Sequence, residues 1–306
     1  MRHFDDNEYS VLIGNLLNDT QYVNISNMGK MAGLRKHAEV LVRKILNLGS
    51  DIYLTLGQVK QNTKNRYIYG ALKDLEGDLC TKLVDVIEII NRPGCDSTHT
   101  QHTEDFSDKE VENVEDALFD LYAIIFIKFF LKYGVSIYTS SLILHEFSIL
   151  PPIIRYKTWN FLYLKDKHNI QVVNKLCLSI IKVYDKETAY SWIEKNAEAI
   201  RAIPYPNERE QQKYLYSVGI PVAPGIVQVS LGFDRFDNMY DLLYDKIKSN
   251  NTSVNESGKM YKNFEEVVNY YRSYESMGIW ESSNEFKEFK SLMKFVYLGR
   301  KSTCEL

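Results

Sequence analysis

The sequence has few of the residues whose abundance identifies a disulfide-rich or metal-binding protein. Only four of its 306 residues are cysteines. Cys80, Cys95, Cys177 and Cys304 stand far apart, without the paired spacing of a zinc or redox motif. We therefore expect reduced thiols, as in a cytoplasmic protein, and no metal or other cofactor.

The chain also has no marked excess of charge of either sign. Its 37 Lys and Arg residues against 40 Asp and Glu residues give a formal net charge of -3. No overall positive field draws the protein to nucleic acid, so such a role would need a local basic patch. Arg35, Lys36, Arg43 and Lys44 lie on one side of a predicted helix and form either a solvated face or a phosphate-binding surface.

Long hydrophobic runs are absent as well. The most apolar segment, ALFDLYAIIFIKFFL from Ala117 to Leu131, is too short to span a bilayer and contains Asp120 and Lys128. It predicts a buried helix or a helix that contacts a partner. The polar N-terminus, MRHFDDNEYS, does not resemble a signal peptide. We expect no association with a membrane.

Helical periodicity dominates what is present. Apolar stripes predict helices over residues 30–48 and 67–90, with Gly49 ending the first. Ser107 and Glu110 form the capping box of a third long helix, which we expect to end at Gly134. The predicted fold class is mainly α, with an antiparallel helical bundle in residues 1–135.

Residues 136–306 predict a second, mostly helical domain with little β structure and no role evident from its residues. One region, 218–233, combines β-branched residues with prolines and predicts strands. Helical patterns cover the following segments: 171–184, 187–203, 263–277 and 283–298.

The segment IINRPGCDSTHTQH, residues 89–102, separates two of the predicted helices of the bundle. Pro93 cannot continue a helix and Gly94 permits a sharp turn, so we expect Arg92 at a helix end and His99 in the following loop. Arginine holds phosphate through forked hydrogen bonds, and histidine exchanges protons near neutral pH. Together these groups are suited to cleaving RNA without a metal.

This arrangement resembles the HEPN superfamily of helical domains, over roughly residues 30–133. The ribonucleases of that superfamily carry an arginine, four to six variable residues and a histidine in this place. The chain is similar in particular to HEPN-related domains of bacterial restriction and defence proteins. Asn91, Gly94 and His99 match the arrangement of those domains, and Arg92 adds the arginine.

The resemblance implies a metal-independent endoribonuclease of a phage-defence or toxin system. His99 would move a proton and Arg92 would stabilise phosphoryl charge while the RNA 2′-OH attacks the adjacent phosphate. The family's two-fold dimers imply a homodimer through the bundle, with two such turns in one cleft. Residues expected to bind substrate or to orient His99 are Asn91, Asp96, Ser97, Thr98 and His102.

A plainer interpretation stays open for these residues. Arg92 and Asn91 are suited to capping the helix end, His99 to a hydrogen bond within its loop and His102 to the surface, and residues 96–98 are ordinary turn residues. The alternative function is a non-catalytic dimerisation or scaffold module whose second domain binds a protein partner. The acidic balance favours it, and so does Pro93, where the ribonucleases usually carry a polar residue.

Overall fold

The computed structural model describes residues 2–75, 77–99, 103–211, 220–223, 226–228, 236–249, 263–277 and 283–306. These residues are mainly helical, which confirms the predicted fold class. The chain divides into two compact units, Met1–Lys128 with Lys294–Leu306, and Phe129–Met293. The sequence predicted a boundary at residue 135 and placed the end of the chain in the second domain, whereas the structure places Lys294–Leu306 in the first unit.

Five named helices begin in the first unit, and the last of them extends into the range of the second. They are α1 (Asp6–Leu17), α2 (Asn27–Leu46), α3 (Arg66–Lys73), α4 (Gly77–Asp96) and α5 (Asp108–Tyr133).

Helix α2 confirms the helix predicted over residues 30–48. Ser26 begins it by accepting a hydrogen bond from the Gly29 N–H, and the side chains of its predicted apolar stripe are buried. The helix ends earlier than Gly49. Asn47 adopts a left-handed conformation with φ 53°, which asparagine tolerates better than most residues, and its N–H bonds to the Arg43 carbonyl.

Helix α5 confirms the predicted capping box and the predicted end. The backbone N–H and Oγ of Ser107 donate to Glu110 Oε2 at 2.9 and 2.7 Å. Gly134 ends the helix with φ 80°, and its N–H donates to the Phe130 carbonyl at 2.9 Å. Every side chain from Leu121 to Ile127 is buried within the chain itself. This burial favours enclosure of the helix over contact with a second subunit through that stretch.

The helix predicted over residues 67–90 is two helices, α3 and α4, and the predicted stop at Pro93 and Gly94 is wrong. Helix α4 continues through both residues to Asp96. Pro93 forgoes one hydrogen bond, to the carbonyl of Ile89, which lies on the exposed side of the helix. The Pro93 carbonyl still accepts from the Ser97 N–H at 2.9 Å, so the winding is kept.

Gly94 is needed for its small size and not for a turn. It is buried, and its φ lies outside the left-handed region. A Cβ at this position would lie 2.5, 2.7 and 2.9 Å from the Cδ, Cβ and Cγ atoms of Arg35. The missing side chain therefore lets the last turn of α4 approach α2 closely.

The second unit is mostly helical, and its described residues include one antiparallel pair of strands. Its helices are α6 (Ser141–Ile149), α7 (Pro152–Lys165), α8 (Ile170–Val183), α9 (Lys186–Lys195), α10 (Ala197–Arg201), α11 (Met239–Lys248), α12 (Phe264–Ser276) and α13 (Asn284–Tyr297), the last of which continues into the range of the first unit. Strands β1 (Ile220–Ala223) and β2 (Ile226–Gln228) lie in the region where strands were predicted.

Packed aromatic rings form part of the core of the second unit. The ring centroids of Phe130, Phe147 and Trp159 lie 4.9 to 5.2 Å from one another. The segment predicted as one helix over 187–203 is divided at Asn196 into α9 and α10. Within the described part of the chain, no helix combines the length and the apolar character needed to cross a bilayer.

We predict that Gly94→Ala lowers the free energy of unfolding by about 1–3 kcal/mol, because the new methyl group overlaps the Arg35 side chain. Urea denaturation measures the change. Gly70→Ala in α3 is the matched control, because a Cβ there meets nothing within 4 Å. Its higher helix propensity should stabilise the protein by up to about 1 kcal/mol. A Gly94→Ala variant that is as stable as Gly70→Ala would contradict the close approach of α4 to α2.

Candidate functional site

The end of α4 carries the two residues that the sequence singled out for chemistry. Arg92 lies in the penultimate turn of the helix, and His99 lies three residues beyond its last residue, Asp96. Both side chains are exposed. The described residues provide no hydrogen-bond partner for either side chain, so both groups are open to a ligand from solvent.

The backbone between Arg92 and His99 keeps winding in the helical sense. The N–H of Thr98 donates to the Cys95 carbonyl at 2.9 Å, and that of His99 to the Asp96 carbonyl at 3.3 Å. Arg92, Asp96 and His99 are therefore spaced by four and then three residues, which places them on one side of the helix end. At the helical rise, the Cα atoms of Arg92 and His99 lie roughly 10 Å apart.

Most of the residues expected to orient His99 are bonded elsewhere. The hydroxyl groups of Ser97 and Thr98 donate to the carbonyls of Gly94 and Cys95, each at 2.8 Å, and so cap the end of α4. Asn91 Oδ1 accepts from the Cys95 thiol at 3.5 Å. Asp96 is exposed and lies on the side shared by Arg92 and His99. His102 lies outside the described residues.

The basic face of α2 is not an open phosphate-binding surface. Arg43 donates to the carbonyls of Gly49 and Ile52, both at 2.9 Å, and Lys44 pairs with Asp6 at 2.6 Å. Arg35 lies 3.8 Å from Glu39 and packs against Gly94. Lys36 alone of this predicted group is exposed, and the other three are half-buried. These cations mainly hold the first unit together, which neither alternative for that face had predicted.

A buried chain of polar groups connects α2, α5 and the C-terminal segment of the first unit. Arg300 Nη2 donates to Tyr122 Oη at 2.9 Å, and Tyr122 Oη lies 3.0 Å from His37 Nε2. The Tyr122 hydroxyl donates to Nε2 of His37 in the tautomer that carries its proton on Nδ1, and it accepts from Nε2 in the other tautomer. Burial, and then the charge of Arg300, lower the pKa of His37 to about 3.

Sequence reasoning found no metal-site spacing at His37 and Glu39 on their helix, and it missed this chain. His37 stands at helical spacing from Leu34, Ala38 and Leu41 on the apolar stripe of α2, and that spacing was a signal of burial. Tyr122 is 85 residues from His37 in the sequence, and Arg300 is farther away still. No local pattern therefore connects these residues. At 3% exposure, His37 is a structural group and cannot exchange protons with a substrate.

The interior of the second unit also contains polar side chains that the sequence did not reveal. Gln171, Asn174 and Ser179 on α8 and Arg155 on α7 are all buried. The helix predicted over residues 171–184 was inferred from its apolar residues alone. Among the described residues, no group of three or more His, Cys, Asp and Glu side chains is placed to hold a metal ion.

The chain matches no protein-family model, and neither a curated protein nor a solved structure shows significant similarity to it. Functional assignment therefore depends on the side chains themselves. The first unit presents an arginine and a histidine on one side of a helix end, and the second unit buries Arg155 and several uncharged polar side chains of α8.

We predict that His37→Gln makes stability less sensitive to acid. The unfolded chain protonates His37 near 6.5 and the folded chain only near 3, so wild-type stability is fully present above pH 6.5 and falls as the pH drops toward 3. In the variant, the free energy of unfolding should change with pH less steeply than in the wild type, by up to about 1.4 kcal/mol per pH unit. Urea denaturation between pH 4 and 7 measures it.

The control for this prediction is His168→Gln, which removes one exposed imidazole from the chain. The variant Tyr122→Phe separates hydrogen bonding from titration. It removes the hydroxyl that joins Arg300 to His37 and should cost about 1–3 kcal/mol at neutral pH. A His37→Gln variant with the wild-type pH slope would contradict the assignment of His37 as a buried neutral group.

Proposed function

We propose that the protein is a metal-independent endoribonuclease of the HEPN type, with Arg92 and His99 acting on the scissile phosphate. The observation that supports this proposal is the placement of two exposed side chains on one side of the α4 end. The backbone N–H groups of residues 97–99 donate to carbonyls of the last helical turns, and these hydrogen bonds maintain that placement. The resemblance to HEPN ribonucleases supplies the class of reaction.

The proposed reaction is an internal transfer on the RNA backbone. The 2′-oxygen attacks the adjacent phosphorus, the P–O5′ bond breaks, and the products carry a 2′,3′-cyclic phosphate and a 5′-hydroxyl. His99 takes the proton from the attacking oxygen or donates one to the departing oxygen. Arg92 donates forked hydrogen bonds to the phosphoryl oxygens as their charge grows. DNA is not a substrate because it lacks the 2′-hydroxyl.

The proposed dimer provides the second proton carrier that this reaction uses. Each copy contributes one described histidine at the end of α4, and a two-fold axis close to that end would bring two into one cleft. Asp96 lies between Arg92 and His99 on the same side of the helix and is suited to orienting either of them. The proposed setting is a cytoplasmic phage-defence or toxin system in which the second unit senses a signal or restrains cleavage.

A scaffold role is the second candidate, and exposed apolar side chains in the first unit favour it. Val11 and Leu12 on α1 are 74% and 42% exposed. Val23 and Ile25 follow α1 and are also exposed. Such residues are suited to contact with another protein chain. In this role Arg92 and His99 would have no substrate, and a stoichiometric protein partner would copurify.

We predict that the purified protein cleaves total RNA in the presence of EDTA and that Arg92→Ala and His99→Ala each slow cleavage on the order of 100-fold or more. Gel electrophoresis follows cleavage, and mass spectrometry identifies the cyclic phosphate end. Arg209→Ala and His168→Ala are matched controls, because each removes the same type of exposed side chain from the second unit. Cleavage at equal rates in all five proteins would refute the assignment of the site.

A further inference from the structure

Three tyrosine side chains in a short segment of the first unit are exposed. Tyr53 is 73% exposed, Tyr69 42% and Tyr67 37%. A tyrosine ring is a large apolar surface whose burial stabilises a protein, so single exposed rings are ordinary but a group of them is not. Such a group indicates a surface that contacts a ligand or a partner.

The start of α3 joins these tyrosines into one surface. The Asn65 side chain caps α3 by accepting from the backbone N–H groups of Tyr67 and Ile68 at 3.1 and 3.4 Å. Its Nδ2 donates to the Tyr53 carbonyl at 3.1 Å. One side chain thus fixes the backbone of Tyr53 beside the first turn of α3.

Helix α3 has one buried and one exposed side. Ile68 and Leu72 are buried. The exposed side chains of the helix are those of Arg66, Tyr67, Tyr69 and Lys73. At 3.6 residues per turn, these four side chains fall within one half of the helix circumference, opposite the buried pair. The exposed side of α3 therefore presents two rings and two cations together.

This segment is basic, although the whole chain has a formal net charge of -3. Residues 53–73 contain no Asp or Glu. Their basic residues, all exposed, are Lys60, Lys64, Arg66 and Lys73. Within the described part of the chain, none of these four cations forms an ion pair. The segment is therefore the kind of local basic patch that a nucleic-acid role requires in a chain of balanced charge.

Two of the cations lie directly over tyrosine rings. Arg66 Cζ is 4.7 Å from the centroid of the Tyr67 ring, and Lys73 Nζ is 4.7 Å from that of the Tyr69 ring. Arg66 Nη2 also donates to Tyr67 Oη at 2.6 Å. These contacts are favourable because the face of an aromatic ring carries negative partial charge. They hold a positive charge beside each ring, where it can pair with the phosphate of a stacked nucleotide.

The segment also passes beside the end of α4. The 3₁₀ turn Leu56–Gln58 packs against α4, and a Cβ at Gly57 would lie 3.6 Å from Nδ2 of Asn91, the residue before Arg92. Gly57 follows Tyr53 by four residues, which span at most about 14 Å. A strand of several nucleotides can therefore contact both Tyr53 and the candidate site.

We propose that this tyrosine surface binds single-stranded RNA. Its members are Tyr53, Lys64, Arg66, Tyr67, Tyr69 and Lys73. Unpaired bases stack on the tyrosine rings, and the cations pair with the phosphates. The choice of RNA over DNA rests on the proposed function, because the bases of both offer the same faces for stacking.

The rings decide between a single strand and other polyanions. A duplex covers the faces of its bases and offers mainly phosphates to the cations. An acidic protein segment would also pair with the cations, but it would leave the three rings without flat partners. Unpaired bases satisfy the rings and the cations together, so the surface favours a single strand.

Fluorescence anisotropy with a single-stranded RNA of about twelve nucleotides tests the proposal. The RNA carries 2′-O-methyl groups, so its 2′-oxygens cannot attack the phosphates and binding is measured independently of cleavage. We expect Tyr53→Ala, Tyr67→Ala and Tyr69→Ala each to weaken binding about tenfold, because each removes one stacking ring. Tyr69→Phe keeps the ring and should bind as the wild type does.

Matched controls come from the second unit. Tyr244 on α11 is 43% exposed, close to the value for Tyr69, and Tyr244→Ala should bind as the wild type does. Lys64→Gln should reduce the slope of log affinity against log salt by about 0.7, the effect of one phosphate contact on a single strand. Lys195→Gln, on the exposed surface of α9, should leave that slope unchanged. Thermal unfolding checks that each variant is folded.

Four results would overturn the proposal. The wild type fails to bind the RNA at low salt, or the tyrosine variants bind as tightly as Tyr244→Ala does. A duplex of the same length binds as tightly as the single strand, which would leave charge as the sole attraction. Polyglutamate of the same charge binds more tightly than the RNA, which would indicate an acidic protein partner instead.

Failure of the proposed function has a different result. RNA that binds the tyrosine surface but is not cleaved in its unmodified form would refute the ribonuclease and retain the surface. Cleavage of unmodified RNA by a protein whose tyrosine variants bind normally would retain the ribonuclease and refute the surface.

Discussion

The close approach of α4 to α2 at Gly94 is the constraint on which the candidate site depends. At this point the α4 backbone lies against the aliphatic part of Arg35, with space for a hydrogen but not for a methyl group. Tertiary packing contributes most of the stability of helices in proteins, so it can outweigh the one hydrogen bond that Pro93 forgoes. Arg92 is therefore held on a regular helix, and the winding continues to His99.

The two units bury polar groups in different ways. In the first, Arg300, Tyr122 and His37 form a chain in which each step has a donor and an acceptor, and the neutral imidazole adds no second charge. Such a chain stabilises one arrangement of the helices it joins. In the second, burial and then the charges of Arg155 and Lys175 lower the pKa of Lys182 on α8 to about 7. The first arrangement therefore has the character of a structural support.

Local signals in the sequence predicted much of the fold. The stripe of α2, the capping box of α5 and the glycine at position 134 each depend on residues close together in the chain, and the structure confirms all three. The prediction of a helix stop at Pro93 and Gly94 was wrong because both residues were judged by backbone preference alone. The gap between α3 and α4 was missed because the apolar stripe continues across it.

The sequence by itself determined the helical class, most helix ends and the nearness of Arg92 to His99, because periodicity, capping and short spacing act between neighbouring residues. Only the tertiary structure decided that Gly94 serves packing and that His37 is buried beside Tyr122. It also decided that Arg155 and Lys246 approach the lysines of α8. These outcomes depend on residues far apart in the chain, and they become neighbours only when burial of the apolar faces brings their helices together.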